Sequence, residues 1–476
     1  MFRNFLILLF LFPFCIFSQD IVDDYIKIGL ENNLALKQKR ADYNKSVFVL
    51  KEARSYFMPN LSFQARYTWA NGGRVIDIPV GDMINPVYYS LNRITTIMEQ
   101  LNNEAEAILG QPLLEDFQVF PDTTIDNQIF NFFREREHET KLRLIQPIFN
   151  PAIYYNYKIQ NELSNIKSAD INTYINQLAG DIKIAYYNYI KTTELIEIIN
   201  QSENLLKENL RVNQKLFENN MVTKESIYQS DLELNKLEQK RIEVEKANFM
   251  AQAYFNFLLN RDLSEPITIN NKFNSPLYLN IDDKNDEALN NRFEIEMLNR
   301  TINANNYLIK SNRSNALPVI SLVADYGFQG EKYEFTKEQD FRLISLMLQW
   351  QLFGGFANKQ RIEQSLIEKD KLMWKKEEVE KQISIQVLDL HYSYIAALKA
   401  NTVAEKEVEL AKKLFDIVNK KYAQGQASML EYLAAQNNLT QAEINKSINK
   451  HQLIIAYVEY EKAIGSYGIA YKDVIN

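Results

Sequence analysis

The chain has 476 residues, room for two or three ordinary domains, and its 46% hydrophobic content excludes a disordered chain. A formal net charge of −7 argues against a nucleic-acid partner. Glycine (13) and proline (11) are scarce, which favours long uninterrupted helices, whereas 27 tyrosines and 27 phenylalanines point to a β or membrane-facing part as well.

Arg3 is followed by an apolar run over residues 5–17, too short for the roughly 20 residues that span a bilayer as a helix. Residues 1–18 therefore read as a signal peptide, with cleavage between Ser18 and Gln19. Cys15, the only cysteine, lies inside it, and Phe12-Pro13-Phe14 is a poor lead-in for lipoprotein processing. The mature chain is then expected to lack disulfide and thiol chemistry. No later stretch reaches transmembrane-helix length, which leaves a periplasmic, secreted or outer-membrane β-barrel protein.

Residues 21–57 read as helix, interrupted at Glu31-Asn32-Asn33. A strand follows over about residues 60–70, with Leu61, Phe63, Ala65, Tyr67 and Trp69 alternating with Ser62, Gln64, Arg66 and Thr68. Apolar-out, polar-in alternation ending in aromatics suits a transmembrane β-strand; an amphipathic strand of a soluble sandwich would look the same. Residues 71–137 are irregular, with a helical piece expected at 90–109. A second strand is expected at 138–149, where Leu142 and Leu144 oppose Lys141 and Arg143.

A helix of about 65 residues, on the order of 95 Å, then runs to Phe217, with Leu195, Ile199, Leu206 and Leu210 on one seam. Ser202 and Asn213 are polar interruptions of that seam. A turn at Asn220, Met221, Val222 and Thr223 leads into a return helix ending near Leu259. Residues 260–284 read as a linker.

The second half repeats the first. Leu30/Leu289, Asn32/Asn291, Arg54/Arg313, Pro59/Pro318 and Tyr67/Tyr326 coincide at one spacing of about 259 residues. Strands are expected at 318–329 and 341–353, followed by a second long helix, a tip at Gly425, Gln426, Ala427 and Ser428, and a return helix. Gly425 suits a left-handed helix end and Ser428 the start of the next helix; Asn220 and Thr223 hold those places in the first copy. After the strands the spacing falls to about 204, so the first copy carries some 55 extra residues within 71–137, expected as a loop insertion. The chain is thus a tandem duplication, 19–259 and 285–476, each copy being helix, strand, strand, long helix, turn, helix.

Four strands are too few to close a barrel, and an open edge is not tolerated in lipid, so several chains must pool strands; three would give twelve. In each half the short helix before the strands and the return helix together match the long helix in length, as two stacked helices beside one long one.

On these features the sequence resembles the TolC-like outer membrane efflux protein family. The resemblance is carried by the twin tips, the twin Ser-x-x-x-Pro junctions at 55–59 and 314–318, and Leu352-Phe353-Gly354-Gly355. It implies a mainly α protein with a transmembrane β part: a homotrimer with a 12-stranded β-barrel among outer membrane lipids, continuing into a 12-helix periplasmic α-barrel. It also implies docking of the tips on a periplasmic membrane-fusion adaptor fed by an inner-membrane RND- or ABC-type pump. By the same resemblance Glu431 falls where an aspartate ring lines the periplasmic aperture, and Ala427 where a gating basic residue stands. Ser226, with Glu225 beside it, is the first-half equivalent of Glu431. No catalytic constellation appears: His138, His391 and His451 are scattered, the glycine pairs are not phosphate loops, and neither cofactor nor metal is expected. The reading is a passive exit duct for small molecules. Protein secretion through the same fold, or a periplasmic coiled-coil scaffold without a pore, are the alternatives.

Overall fold

The computed structural model describes residues 21–114, 124–131, 134–269 and 284–471. The expected signal peptide and much of the linker lie outside them. In chain order the elements are α1 (Ile21–Asn32), α2 (Leu34–Ser55), β1 (Asn60–Trp69), β2 (Val75–Ile78), α3 (Val80–Leu109), β3 (Gln128–Asn131), β4 (Arg136–Phe149), α4 (Pro151–Glu218) and α5 (Lys224–Leu259). There follow α6 (Lys284–Asn291), α7 (Phe293–Ser314), β5 (Val319–Gly330), β6 (Asp340–Gln349), α8 (Ala357–Ala423), α9 (Met429–Ala463) and α10 (Ser466–Ala470). Apart from β2-α3-β3 and α10, the second half repeats the first element for element. No described helix is long and apolar enough to cross a membrane.

The chain forms two compact units, and they do not coincide with the repeats: each repeat gives its strands to one unit and its helices to the other, except that α3 of the insertion falls with the strands. In the helical unit, α4 packs against α2, α5, α7 and α9. Its main core is built from Tyr25, Ile26 and Leu30 of α1, Ile182 and Tyr186 of α4, and Phe255 of α5. Polar side chains set the helix breaks. Asn33 accepts the Leu36 N–H at 3.0 Å and so caps α2, while its amide donates to the Leu258 carbonyl at 2.9 Å, at the end of α5. In the second repeat, Arg292 between α6 and α7 donates to the Ala463 carbonyl at 2.9 Å, at the end of α9. Different residues thus hold the same junction, in which two stacked helices meet beside a long one. The short α10, beyond the expected return helix, packs on α4 through Gly468, whose N–H donates to Asn176 at 3.1 Å.

The other unit holds a four-stranded antiparallel sheet in the order β1-β4-β5-β6, joined across the repeats by β4 and β5. β1 and β6 are its edges. One face carries Leu61, Phe63, Tyr67 and Trp69 of β1 and Ile344 and Leu346 of β6, all at least 60% exposed. The opposite face carries an alternating ion-pair row across three strands. Arg66 lies 3.1 Å from Glu139, Glu139 meets Lys141, and Arg143 holds Asp325 in a two-pronged pair at 2.8 and 2.7 Å.

Three expectations need correction here. β6 ends at Gln349, short of 353, because its last partner is Val319 and the preceding Pro318 has no N–H to extend the ladder. The helix in the insertion begins at Val80, ten residues earlier than expected, and runs through Pro86. Asn85 pins its first turns by exchanging two 2.8 Å bonds with the backbone of Ile125, and Asp82 is bonded to Asn127. The insertion is therefore more than a loop: β2 pairs with β3 antiparallel and a 30-residue helix lies between them.

Candidate functional site

The two hairpin ends of the helical unit have the same backbone. After α4, the Met221 N–H donates to Leu216 at 2.8 Å and the Asn220 N–H to Phe217 at 2.9 Å, with Asn220 left-handed at φ 57°. After α8, the Gln426 N–H donates to Lys421 at 2.8 Å and the Gly425 N–H to Tyr422 at 3.0 Å, with Gly425 at φ 71°. This 6→1 and 5→2 pattern satisfies the last helical carbonyls and requires a positive φ at its apex, which glycine and asparagine tolerate best.

The following helix starts differ. Ser428 caps α9 with a reciprocal box: its hydroxyl accepts the Glu431 N–H at 3.2 Å, while Oε2 of Glu431 accepts the Ser428 N–H at 2.7 Å and hydroxyl at 3.0 Å. Those two bonds, backbone first, and the nearby Lys421 charge hold the Glu431 carboxyl below the usual carboxylate range. Thr223 stands at the corresponding cap of α5 with extended backbone, but its side chain makes no cap bond. Glu225 is exposed and accepts from Gln229 at 3.1 Å; Ser226 is half-buried, and its carbonyl accepts from Ser230. Met221 is 72% exposed. Val222 and Ala427 are half-buried, and Gln426 is exposed.

What joins the two hairpins lies just behind the tips. Asn213 of α4 is fully buried and donates to Asn209 at 2.9 Å and to Ser230 of α5 at 3.4 Å. The Tyr422 hydroxyl of α8 donates to Asn213 Oδ1 at 2.7 Å, and Met429 of α9 lies against the same amide. Ser230 in turn donates to Asn209 at 3.1 Å. Four helices therefore meet at one polar node, with Phe415, Tyr432 and Leu433 as its apolar surround. Burial pushes the Tyr422 and Tyr432 hydroxyls above their ordinary values, so both stay protonated donors. The sequence marked Asn213 only as a flaw in an apolar seam. A polar residue at a seam position is the signal for a buried partner, but its partners sit up to 216 residues away.

A second polar link ties α4 to α9. Glu194 lies 3.0 Å from Nε2 of buried His451 and 2.8 Å from Lys450, and Ser447 donates to it at 3.0 Å. Burial acts to raise the Glu194 carboxyl, but the bonds from His451 and Lys450 prevail and hold it at about 2. Of the other histidines, His138 stacks on Tyr333 at 4.5 Å between ring centres and His391 packs edge-on against Tyr392. Glu431 bonds within its own capping box, and Glu225 and Ser226 bond along α5.

Residues 285–466 match the family model described as outer membrane efflux protein. That match lies within the second repeat. The fold of the whole chain is that of solved outer-membrane channels. It superimposes on the Campylobacter jejuni CmeC outer membrane channel with a TM-score of 0.73 at 15% identity, over 96% of this chain and 89% of the other. The outer-membrane channel OprN gives 0.72 at 14%, over 94% and 90%, and CusC, described as forming a transmembrane channel, 0.74 at 13%, over 93% and 92%. No curated protein matches the chain by sequence alone. At these identities the likeness carries the fold and the order of elements; the chemistry of the tips must be argued from the residues themselves.

Proposed function

We propose that the chain is the outer-membrane exit duct of a tripartite efflux system, passively conducting small molecules out of a Gram-negative cell. The observation that carries this reading is the sheet: two open edges, one bare apolar face and one face of alternating charge. Open edges in lipid leave backbone groups unsatisfied at several kcal/mol each, so β1 of one copy must pair with β6 of the next. Three copies close a 12-stranded barrel with its aromatics and aliphatics toward lipid and its ion-pair row toward a water-filled lumen. In this reading the helices of the three copies form the periplasmic α-barrel. The tips Asn220, Met221, Val222, Thr223 and Gly425, Gln426, Ala427, Ser428 dock on the membrane-fusion adaptor, and an RND- or ABC-type pump in the inner membrane supplies the energy.

Threefold symmetry would bring three Glu431 side chains around the aperture. The capping box fixes each carboxylate and favours its ionised form, which suits a ring that selects cations. Ala427 offers no charge for a closing salt bridge, so closure would use other contacts. The experiment is reconstitution: detergent-purified protein should have the mass of a trimer and form cation-selective channels in planar bilayers. Glu431→Gln should lower the cation preference about two- to threefold. A water-soluble monomer without conductance would end the duct reading, and unchanged selectivity would remove Glu431 from the aperture.

A further inference from the structure

The insertion contains a second assembly device. In α3, Ile84, Val87, Leu91, Ile94, Met98 and Leu101 recur at alternating spacings of three and four, continuing through Ala105 to Ile108. That is a heptad seam, with Ile84, Leu91 and Met98 at a and Val87, Ile94 and Leu101 at d, extending about 36 Å. Every one of these six side chains is between 37% and 57% exposed, and Ile108 is 81% exposed. The chain's own contacts fall on a different side of the helix. Gly81, Asn85, Tyr88, Asn92, Thr95 and Asn102 are covered or half-covered on that side, on the seam side only Val80 and Ala105 are half-covered, and Asp82 and Asn85 hold residues 125–127. A helix that turns a polar stripe to its own chain and an unbroken 3.5-residue apolar seam to the outside is built for another helix.

We propose that three α3 helices, one from each copy, pack in parallel through this seam as a coiled-coil cap at the outer end of the barrel. Leucine at a with isoleucine at d, as in Leu91 and Ile94, turns preference away from two strands toward trimers and tetramers. Copies are required in any case by the unpaired β1 and β6 edges. The location follows from topology. β1 follows α2 and β4 leads into α4, so the connection from Trp69 to Arg136 leaves the opposite end of the sheet. A helix lying flat on lipid would want a basic polar face, whereas α3 carries Asp82, Glu99, Glu104 and Glu106 against Arg93 alone.

The cap rests on the trimeric reading above, and the test separates the two. Full-length protein carrying Cys15→Ser is given a single cysteine at a seam position (Ile94→Cys, or Met98→Cys as the milder exchange) or on the outer side (Thr96→Cys). It is purified in detergent and oxidised with copper phenanthroline. With three cysteines facing one axis, one disulfide forms per trimer, so about two-thirds of chains should run as covalent dimers for either seam variant and almost none for Thr96→Cys. A monomeric mass before oxidation would overturn the trimer and the cap together. A trimeric mass with neither seam variant cross-linking, or with Thr96→Cys cross-linking equally, would overturn the cap alone.

Discussion

Asn209, Asn213 and Ser230 of the first hairpin stand where Leu414, Val418 and Ala435 stand in the second, 205 residues later, and Phe217 stands where Tyr422 does. The backbone of the two ends was duplicated faithfully, down to the same pair of capping bonds and the same left-handed apex. The buried chemistry was not. The first hairpin holds a polar socket and the second supplies the hydroxyl that fills it. The α4–α9 link is one-sided in the same way: Glu194 and His451 correspond to Lys399 and Lys246, which could not form that bond. Duplication gave the chain two equal arms, and divergence at seam positions made them recognise each other instead of themselves.

The largest effect should come from the socket. Asn213→Leu keeps the branched shape but takes the acceptor from the Tyr422 hydroxyl and one of the two donors from Asn209, which should destabilise the helical unit by about 2–3 kcal/mol. Val418→Asn, the reciprocal exchange at a half-buried site, should cost only about 1 kcal/mol. Thermal melts followed by helical circular dichroism read both, and equal losses would mean that the two hairpins are interchangeable after all.

The Glu194 link comes next. Its folded-state value near 2 lies below the ordinary carboxylate value of 4.5, so its contribution is fully present above about pH 4.5 and is lost as pH falls through about 2. Glu194→Gln should lower neutral-pH stability by about 1–2 kcal/mol and flatten the acid dependence in that window. If the wild type and the variant lose stability in parallel between pH 5 and 2, Glu194 does not carry that dependence.

The duplication, the strand alternation and both tips were legible in the sequence because each is a local signal: a period of two, a seam, or glycine and serine at fixed places. Even the left-handed Asn220 could be assigned, by analogy with Gly425. The node could not, because Asn213 and Tyr422 have no local relation. Nor was the seam of α3 found. Pro86 and its neighbours Pro79 and Pro112 made the region read as irregular, although the spacing of Ile84, Val87, Leu91 and Ile94 was there to be counted. The ends of β6 and α3 were set by partners rather than by propensity, Pro318 in one case and the Asn85–Ile125 exchange in the other.

Smaller effects test the helix starts. Ser428→Ala removes both the hydroxyl that caps α9 and the hydrogen bond it gives Glu431, and should cost about 1 kcal/mol. Thr223→Ala removes a side chain with no cap bond and should change stability by less than about 0.5 kcal/mol. If the proposed adaptor closes a bond on Thr223 that the free chain lacks, the order would reverse when melts are repeated with such an adaptor bound.

The smallest expected difference lies at the apex itself. Asn220 and Gly425 occupy the same left-handed position, and no side-chain atom crowds the glycine. Asparagine tolerates that region at some cost and glycine at none, while glycine gives up more freedom from the unfolded chain, so the two terms oppose each other. Relief of the left-handed penalty, about 1 kcal/mol for a residue with a Cβ and less for asparagine, should slightly outweigh the entropy. Asn220→Gly is therefore expected to raise stability by a few tenths of a kcal/mol, and Gly425→Asn to lower it by the same amount. Gly425→Val, whose branched side chain has no local hydrogen bond to offset the strain, should lose more than Gly425→Asn. Opposite signs for the first two exchanges would show that the apices are equivalent in conformation. A loss in both would mean that the Asn220 side chain has an assembly contact that glycine cannot supply.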